Sequence, residues 1–557
     1  MVVLVLDLKN GTVEEKEWKG EYPGLRCALS LFSEYGPESL VIGSVNPDGK
    51  DDGNVRSWNI VYHSEITGKT EISVLSTGHG YSLLRLGIAA LVITGRADKL
   101  KYITLTPSKR EILPIENMRA ESSLSFENVV SSLNEVCLST GVAADKGVWF
   151  GSVQYRGRNI GGTGLGHAFF SHNLKGIVMS SFSETTAGKD TDRRASDNTP
   201  FSRMIHSYGE YAVIPCSLKL GWTPINNYSD RFDPRVWNMD GRSMAEKFGN
   251  YPDGCPGCSL ACRRRTRSGA TLPGWEDLLM LGPNIGFFDP TNILRIYNAV
   301  VAAGLEVPTT GAIISHILSL SPEERAVYQL KDKSVDSIIA FISRLSTGSI
   351  LPKGLMSLPD AVQGYDHRPV LFDLRGAFTQ ALLLSQGLDL VLPATLYFPE
   401  RPVSAEVAAV FALYETVYSL ALIALGYPVS IESSLYWAKV PQIAYRHPFF
   451  ARFFLRRYSA FGIKGRDLLP LGFEILEKIN PQWHPIPSFF TMESESSFDA
   501  ATVPLKRLQD CYDSEKLRLL ISLKSRRDKS VRPEGESSAN VAPSEDRGSD
   551  ADPGLSK

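Results

Sequence analysis

Cys255, Cys258 and Cys262 stand in the run Tyr-Pro-Asp-Gly-Cys-Pro-Gly-Cys-Ser-Leu-Ala-Cys-Arg-Arg-Arg, and no cysteine follows until Cys511. Three thiols this close oblige the backbone to turn on itself, with Pro256 and Gly257 shaping the turn. From one such turn they can grip a single inorganic centre. The Cys-x2-Cys-x3-Cys spacing suits an iron–sulfur ligand set, which usually takes four thiolates. The opposite order, Cys-x3-Cys-x2-Cys, would indicate radical chemistry, and a zinc ribbon needs a second Cys-x2-Cys or a histidine pair downstream. His316, His367 and His447 are scattered and supply no such pair. The competing reading is a chance cluster of structural cysteines. Seven cysteines, three of them packed together in 557 residues, suit a reducing cytoplasm and a metal site better than a disulfide framework.

A formal net charge of -2 gives no sign of nucleic acid or an acidic membrane surface as partner. Short basic clusters at Arg263–Arg265 and Arg456–Arg457 read as solvated faces. The N-terminus is strand-like and lacks the basic leader and cleavage site of a signal peptide. The longest apolar stretch, around Val417 to Val429, is broken by Ser419, Gly426 and Pro428. It falls short of the roughly 20 residues of a spanning helix and reads as a buried one.

The first 185 residues carry short β-type runs: Val2–Leu6, Leu40–Gly43, Trp58–His63, Ala89–Thr94, Tyr102–Leu105, Val148–Phe150 and Gly176–Met179. Turn pairs such as Asn10-Gly11 and Asp48-Gly49 separate them, which predicts a sheet-built domain. Ser183 to Thr199 reads as a linker. Beyond it the period becomes helical. Asp289, Pro290 and Thr291 open a helix on Ile293, Ile296, Tyr297 and Val300 that Gly304 ends. Ser404 is the expected N-cap of another, with Glu406 in its first turn and Gly426 and Pro428 as stops. The expected organisation is a β-rich domain over 1–185, helical domains over 200–365 and 366–520, and a disordered tail over 525–557.

Two further motifs carry chemistry. In Arg158-Asn159-Ile160-Gly161-Gly162-Thr163-Gly164-Leu165-Gly166, four glycines let backbone N–H groups approach a phosphate or a polar ring edge. The loop lacks the strand–turn–helix context of a Rossmann fingerprint. In Leu272-Pro273-Gly274-Trp275-Glu276-Asp277, a carboxylate beside an aromatic ring gains a raised pKa if buried, as a proton donor needs. The alternative is an acidic pair favouring a helix N-terminus.

In this order the motifs resemble the tungsten-pterin aldehyde:ferredoxin oxidoreductase family across most of residues 1 to 515. Val5 to Val13 looks like the family's first hairpin, Ser64 to Gly68 its Ser-Pro-Leu-Thr-Gly turn, and Gly87 to Ala97 the strand and turn that follow. Gly157 to Gly166, with Ser171 to Ile177, is similar to its pterin loop, and the cysteine run to its cluster motif. Leu281 to Asn284 and Gly304 to Glu306 fall in the expected places. The resemblance implies an α+β fold, a β-rich base domain carrying two helical domains. It also implies a tungsten or molybdenum bis-pterin, an iron–sulfur cluster ([4Fe–4S] or incomplete), oxidation of a small aldehyde to a carboxylic acid, and transfer of electrons to ferredoxin or another electron-transfer protein. A homo- or hetero-oligomer stays open.

By the same resemblance Arg158, Asn159, Gly161, Gly162, Gly164 and Gly166 contact a pterin, Thr77 and Gly78 stand where the family has an Asn-Ala pair, and Glu276 matches its active-site glutamate. The family's Asp-x-x-Gly-Leu-Asp pterin motif reads Val301-Ala302-Ala303-Gly304-Leu305-Glu306 here, which implies cofactor-binding roles for Gly304, Leu305 and Glu306 with one carboxylate gone and the other lengthened. Its Asp-x-x-Gly-Leu-Cys falls on Ser433 to Ala438, which puts alanine in place of the fourth cluster cysteine. Ser385 to Val391, the expected place of an active-site histidine, has none. These departures favour an alternative, a paralogue that no longer turns over and serves as a binding or scaffold subunit.

Overall fold

A computed structural model of the chain describes residues 1–20, 24–44, 57–75, 79–132, 135–180, 200–219, 221–254, 261–364, 366–373, 404–425, 440–457, 459–460, 463–479, 481 and 505–531. The expected linker at 183–199, Thr77, Gly78, Cys255, Cys258, Ala438 and the stretch 385–391 lie outside these.

Two six-stranded sheets build the N-terminal region. The first has the order β2-β1-β6-β3-β4-β5, from β1 (Val2–Asp7), β2 (Thr12–Glu17), β3 (Leu40–Gly43), β4 (Trp58–Ser64), β5 (Lys69–Leu75) and β6 (Ile88–Thr94). The second has the order β11-β10-β9-β12-β7-β8, from β7 (Lys101–Leu105), β8 (Arg110–Pro114), β9 (Glu135–Thr140), β10 (Val153–Tyr155), β11 (Arg158–Ile160) and β12 (Leu174–Ser180). Only β1/β6 and β7/β12 pair in parallel; the other neighbours are antiparallel. One core joins both sheets: Leu4, Leu6, Ile60 and Leu91 of the first meet Ile103, Leu138, Ile177 and Met179 of the second.

Val148–Phe150, expected as a strand, is a buried turn. Its N–H groups donate to Ala143 and Pro352, and Val148 and Phe150 belong to a second, helical core. An apolar triplet has no period, and here it plugs the base into the helices instead of extending a sheet.

The helical core collects Trp275–Leu281, Pro290–Ala303, Val307–Ser319 and Val335–Ser346. Pro290–Ala303 starts and stops where the sequence says: Asp289 accepts from Thr291 N–H, and Gly304 closes the helix in the left-handed region. Ser404 caps Ala405–Ala424 by accepting from Val407 N–H. That helix is long and apolar enough to cross a membrane by length and composition, yet its window is wholly buried inside the protein. Its neighbour is Gly465–Ile479, where a Cβ on Gly472 would lie 1.8 Å from the Val417 carbonyl oxygen, so only glycine allows this approach. Residues 1–515 form one compact unit and 516–557 a second, small one, described only to Val531 and all helix. The helix Leu505–Val531 thus runs past Ser525, where the tail was expected to begin.

Candidate active site

The glycine loop is held from below by β4. Tyr62 Oη donates to the Gly162 carbonyl (2.6 Å) and Ser64 Oγ to the Thr163 carbonyl (2.6 Å). Tyr62 and Ser64 are two apart on a strand and so share a face. Burial, with Glu71 close by, pushes the Tyr62 phenol well up, so it stays a donor. Gly161 and Gly164 have φ of 70° and 85°, a region closed to most side chains.

The loop is completed from far along the chain. Gly164 N–H donates to Glu306 Oε1 (2.8 Å), and Thr309 Oγ1 donates to Glu306 Oε2 (3.0 Å). Asn159 Nδ2 donates to the Leu305 carbonyl, while Asn159 Oδ1 accepts from Ser152 Oγ (3.0 Å) and Gln154 Nε2 (2.8 Å). Gln154 Nε2 also donates to Val301 O (2.6 Å). Beneath them Ser152 N–H donates to Gly304 O (2.8 Å) and Glu306 N–H to Phe150 O (2.9 Å). Gly166 backs on Gly151, whose carbonyl oxygen would lie 2.2 Å from a Cβ there. The two segments expected to bind pterin, 158–166 and 304–306, therefore touch.

Arg158 links this half of the site to the cysteines. It forms an ion pair with Asp253, two residues before Cys255. Asp253 N–H donates to Arg263 O (2.9 Å), and Tyr251–Pro252 pairs with Arg264–Arg265. The run carrying Cys255 and Cys258 spans these two short strands. Cys262 is half-buried, and its carbonyl accepts from Glu210 N–H (2.9 Å). Among the described residues no three His, Cys, Asp or Glu side chains are arranged to hold a metal; two of the three cysteines lie outside that set.

Glu276 is half-buried in the first turn of Trp275–Leu281. The start of that helix is fixed by Tyr211 Oη donating to Pro273 O (2.6 Å), by Arg263 packed beneath Gly274, and by the Trp275 ring 5.6 Å from Phe372. Arg263 lies 3.3 Å from buried Glu210. Burial raises the pKa of Glu210, against the pull of Arg263. Asp277 is raised in the same way, burial outweighing Arg263. The arginine run is a solvated face only in part: Arg265 is exposed, but Arg264 is buried and donates to Asn250 Oδ1 (2.7 Å) and to the carbonyls of Ile205 (3.0 Å) and His206 (2.7 Å).

Tyr62, Gln154, Glu210 and Asp253 are site residues that no sequence motif assigns, and Ser64 enters the sequence only as the start of a turn. Tyr62 alone carried a signal, being two positions before the Ser64 turn.

His79, next to Thr77 and Gly78, is buried, with Nε2 2.7 Å from Tyr155 Oη. Burial, aided by Arg156, lowers its pKa to about 4 from 6.5. The unfolded chain then binds the proton first, so this contribution is full above pH 6.5 and is lost as the pH falls toward 4. We expect acidification through that window to cost the wild type about 2–3 kcal/mol more than His79→Gln, measured by urea unfolding at each pH. Parallel pH profiles would refute the assignment.

The class follows from this geometry and from two matches. The family model for the aldehyde ferredoxin oxidoreductase N-terminal domain matches residues 36–181, and that for domains 2 and 3 of the same family matches residues 186–349. The chain belongs to the aldehyde ferredoxin oxidoreductase family. The tungsten-containing aldehyde ferredoxin oxidoreductase of Pyrococcus furiosus is 24% identical over 331 residues, which cover 55% of this chain and 54% of that relative. The match thus spans about half the length of the curated relative. Among solved structures, the active-site complex BamBC of benzoyl coenzyme A reductase, with 1,5-dienoyl-CoA, aligns with a TM-score of 0.64 at 13% identity. It covers 92% of this chain and 94% of that one, and the likeness is one of fold.

A pterin fits the glycine turn: a Cβ on Gly162 would meet nothing within 4 Å, so a flat ring system can lie against the backbone there. Glu306 already accepts from Gly164 N–H and Thr309 Oγ1, so a pterin N–H would share its oxygens with them.

Proposed function

We propose that the chain is a tungsten- or molybdenum-pterin oxidoreductase that converts an aldehyde and water to a carboxylic acid, releasing an electron pair and two protons, and hands the electrons to a ferredoxin-like carrier. The supporting observation is the Arg158–Asp253 ion pair, which joins the glycine loop directly to the strand entering the cysteine run. When bound, a metal-pterin centre supplies the electron acceptor and an iron–sulfur centre the exit. The chain's own residues do the rest. Tyr62, Ser64 and Glu306 fix the loop in shape before any ligand arrives. Glu276, on a helix start clamped by Tyr211 and Arg263, takes one of the two protons that substrate oxidation releases, and the other goes to solvent. We place the protein in the cytoplasm, in keeping with its thiols.

The second reading, a non-catalytic subunit of a redox complex, draws on the absence of any cysteine between Cys262 and Cys511. Anaerobic purification and metal analysis separate the two. Near-stoichiometric tungsten or molybdenum with about four irons per chain supports the enzyme, and iron alone supports the subunit. Zinc alone, or no metal, ends the redox reading. Cys258→Ala is expected to bleach the cluster's visible absorbance, and an unchanged spectrum removes the ligand assignment.

A further inference from the structure

The helix Pro448–Leu455 is built inside out. It buries Ala451 and Leu455 completely, yet leaves Phe449 60%, Phe450 37% and Phe453 42% exposed, with Ile443 of the preceding turn 46% exposed. Nothing about the helix is loose. Arg452 grips Glu515 through both carboxylate oxygens (2.8–2.9 Å), Arg456 Nε donates to Tyr414 Oη (3.1 Å), and Tyr418 Oη donates to Leu455 O (2.7 Å). The rings are thus presented rigidly: Phe449 lies 5.5 Å from Phe450 and 6.5 Å from Phe453, and the Arg457 guanidinium covers Phe453 at 3.6 Å.

The sequence through this helix is one-sided in charge, although in the fold Glu515 meets Arg452 and Asp467 meets Arg466 at the end of the run. From Ser433 to Arg466 the sequence holds Lys439, Arg446, Arg452, Arg456, Arg457, Lys464 and Arg466 and not one Asp or Glu, in a chain whose net charge is -2. The overall balance conceals this run. Like charge opposes a second copy of the same face. Three rings and one isoleucine also fall well below the roughly 800 Å² per partner of a standard protein interface. An anionic membrane surface needs no such area, because projecting aromatic rings enter the headgroup boundary while arginines meet lipid phosphates. We propose that Pro448–Leu455 is a peripheral membrane contact, with Phe449, Phe450 and Phe453 entering the interface and Arg446 and Arg457 on acidic headgroups. This binding is independent of the redox reading and of any bound cofactor.

The test is flotation of the full chain with vesicles of a roughly 7:3 zwitterionic to anionic phospholipid mixture, and with zwitterionic vesicles alone. We expect binding to the anionic vesicles, lost on raising the salt, and at least about tenfold weaker in Phe449→Ser/Phe453→Ser and in Arg446→Glu/Arg457→Glu, both checked for native circular dichroism. Three results would overturn the proposal: no flotation of the wild type, flotation unchanged in the serine variant, or a self-association dispersed by the serine variant without lipid binding. Retention of a single-stranded oligonucleotide in place of vesicles would equally reject the lipid assignment.

Discussion

Lys175→Met is expected to cost about 3–5 kcal/mol of folding stability, read from urea unfolding at neutral pH. Lys175 is fully buried, and its ammonium donates to Thr140 O (2.9 Å), Glu121 O (2.9 Å) and Asp145 Oδ2 (2.5 Å). Methionine fills the volume but strands a buried carboxylate, whose remaining donors are Thr140 Oγ1 (2.7 Å) and Ala120 N–H (2.9 Å). Burial already raises the Asp145 pKa, with Lys175 the chief group holding it down. Without the lysine it rises further, so the folded variant takes up the proton more readily than the unfolded chain. The deficit is therefore expected to grow as pH rises above the wild-type Asp145 pKa, itself above 3.8, and to shrink below it. Adding Asp145→Leu should recover part of the loss, because the uncompensated charge goes with it. A deficit below about 1 kcal/mol, or one independent of pH, would show that the pair contributes little.

Gly304→Ala is expected to cost about 2–5 kcal/mol and to lower tungsten or molybdenum and pterin content per chain together with it. Two penalties add. Gly304 has φ of 69°, and a Cβ there would stand 2.6 Å from Gly141 Cα and 3.0 Å from Val142 N, all backbone that cannot turn aside. Relief requires moving the 304–306 segment off Ser152 and Phe150, which takes Leu305 from Asn159 and Glu306 from Gly164. Wild-type unfolding with full cofactor content would refute this close packing.

Much of the helical architecture was legible because helix ends are written in local chemistry. Asp289, Gly304 and Ser404 each act within one turn of their own position. Strands were legible where they run apolar, as in Val2–Asp7 and Ile88–Thr94. β2 shows no apolar run, because Thr12–Glu17 is an exposed edge strand, and only the hairpin resemblance at Val5 to Val13 implies it. Val148–Phe150 misled because burial between the base and the helices gives the same letters as a buried strand. At the site, residue types were readable but not their pairing. Nothing local in Asp253 or Glu306 says that one meets Arg158 and the other the Gly164 amide, since both contacts arise from docking between distant segments.

The closure of the glycine loop also sets a timetable. The Gly162 carbonyl is held by a residue 100 positions earlier, and the Gly164 amide by one 142 positions later. Contacts of such sequence separation form late, after the loop-closure entropy of the intervening chain has been overcome. During synthesis the base sheets can assemble first, but the turn gains its final shape only when the segment around Gly304 has left the ribosome and docked. A chain stalled before residue 306 would therefore lack the carboxylate that holds the Gly164 amide, and its glycine turn would stay open at that end.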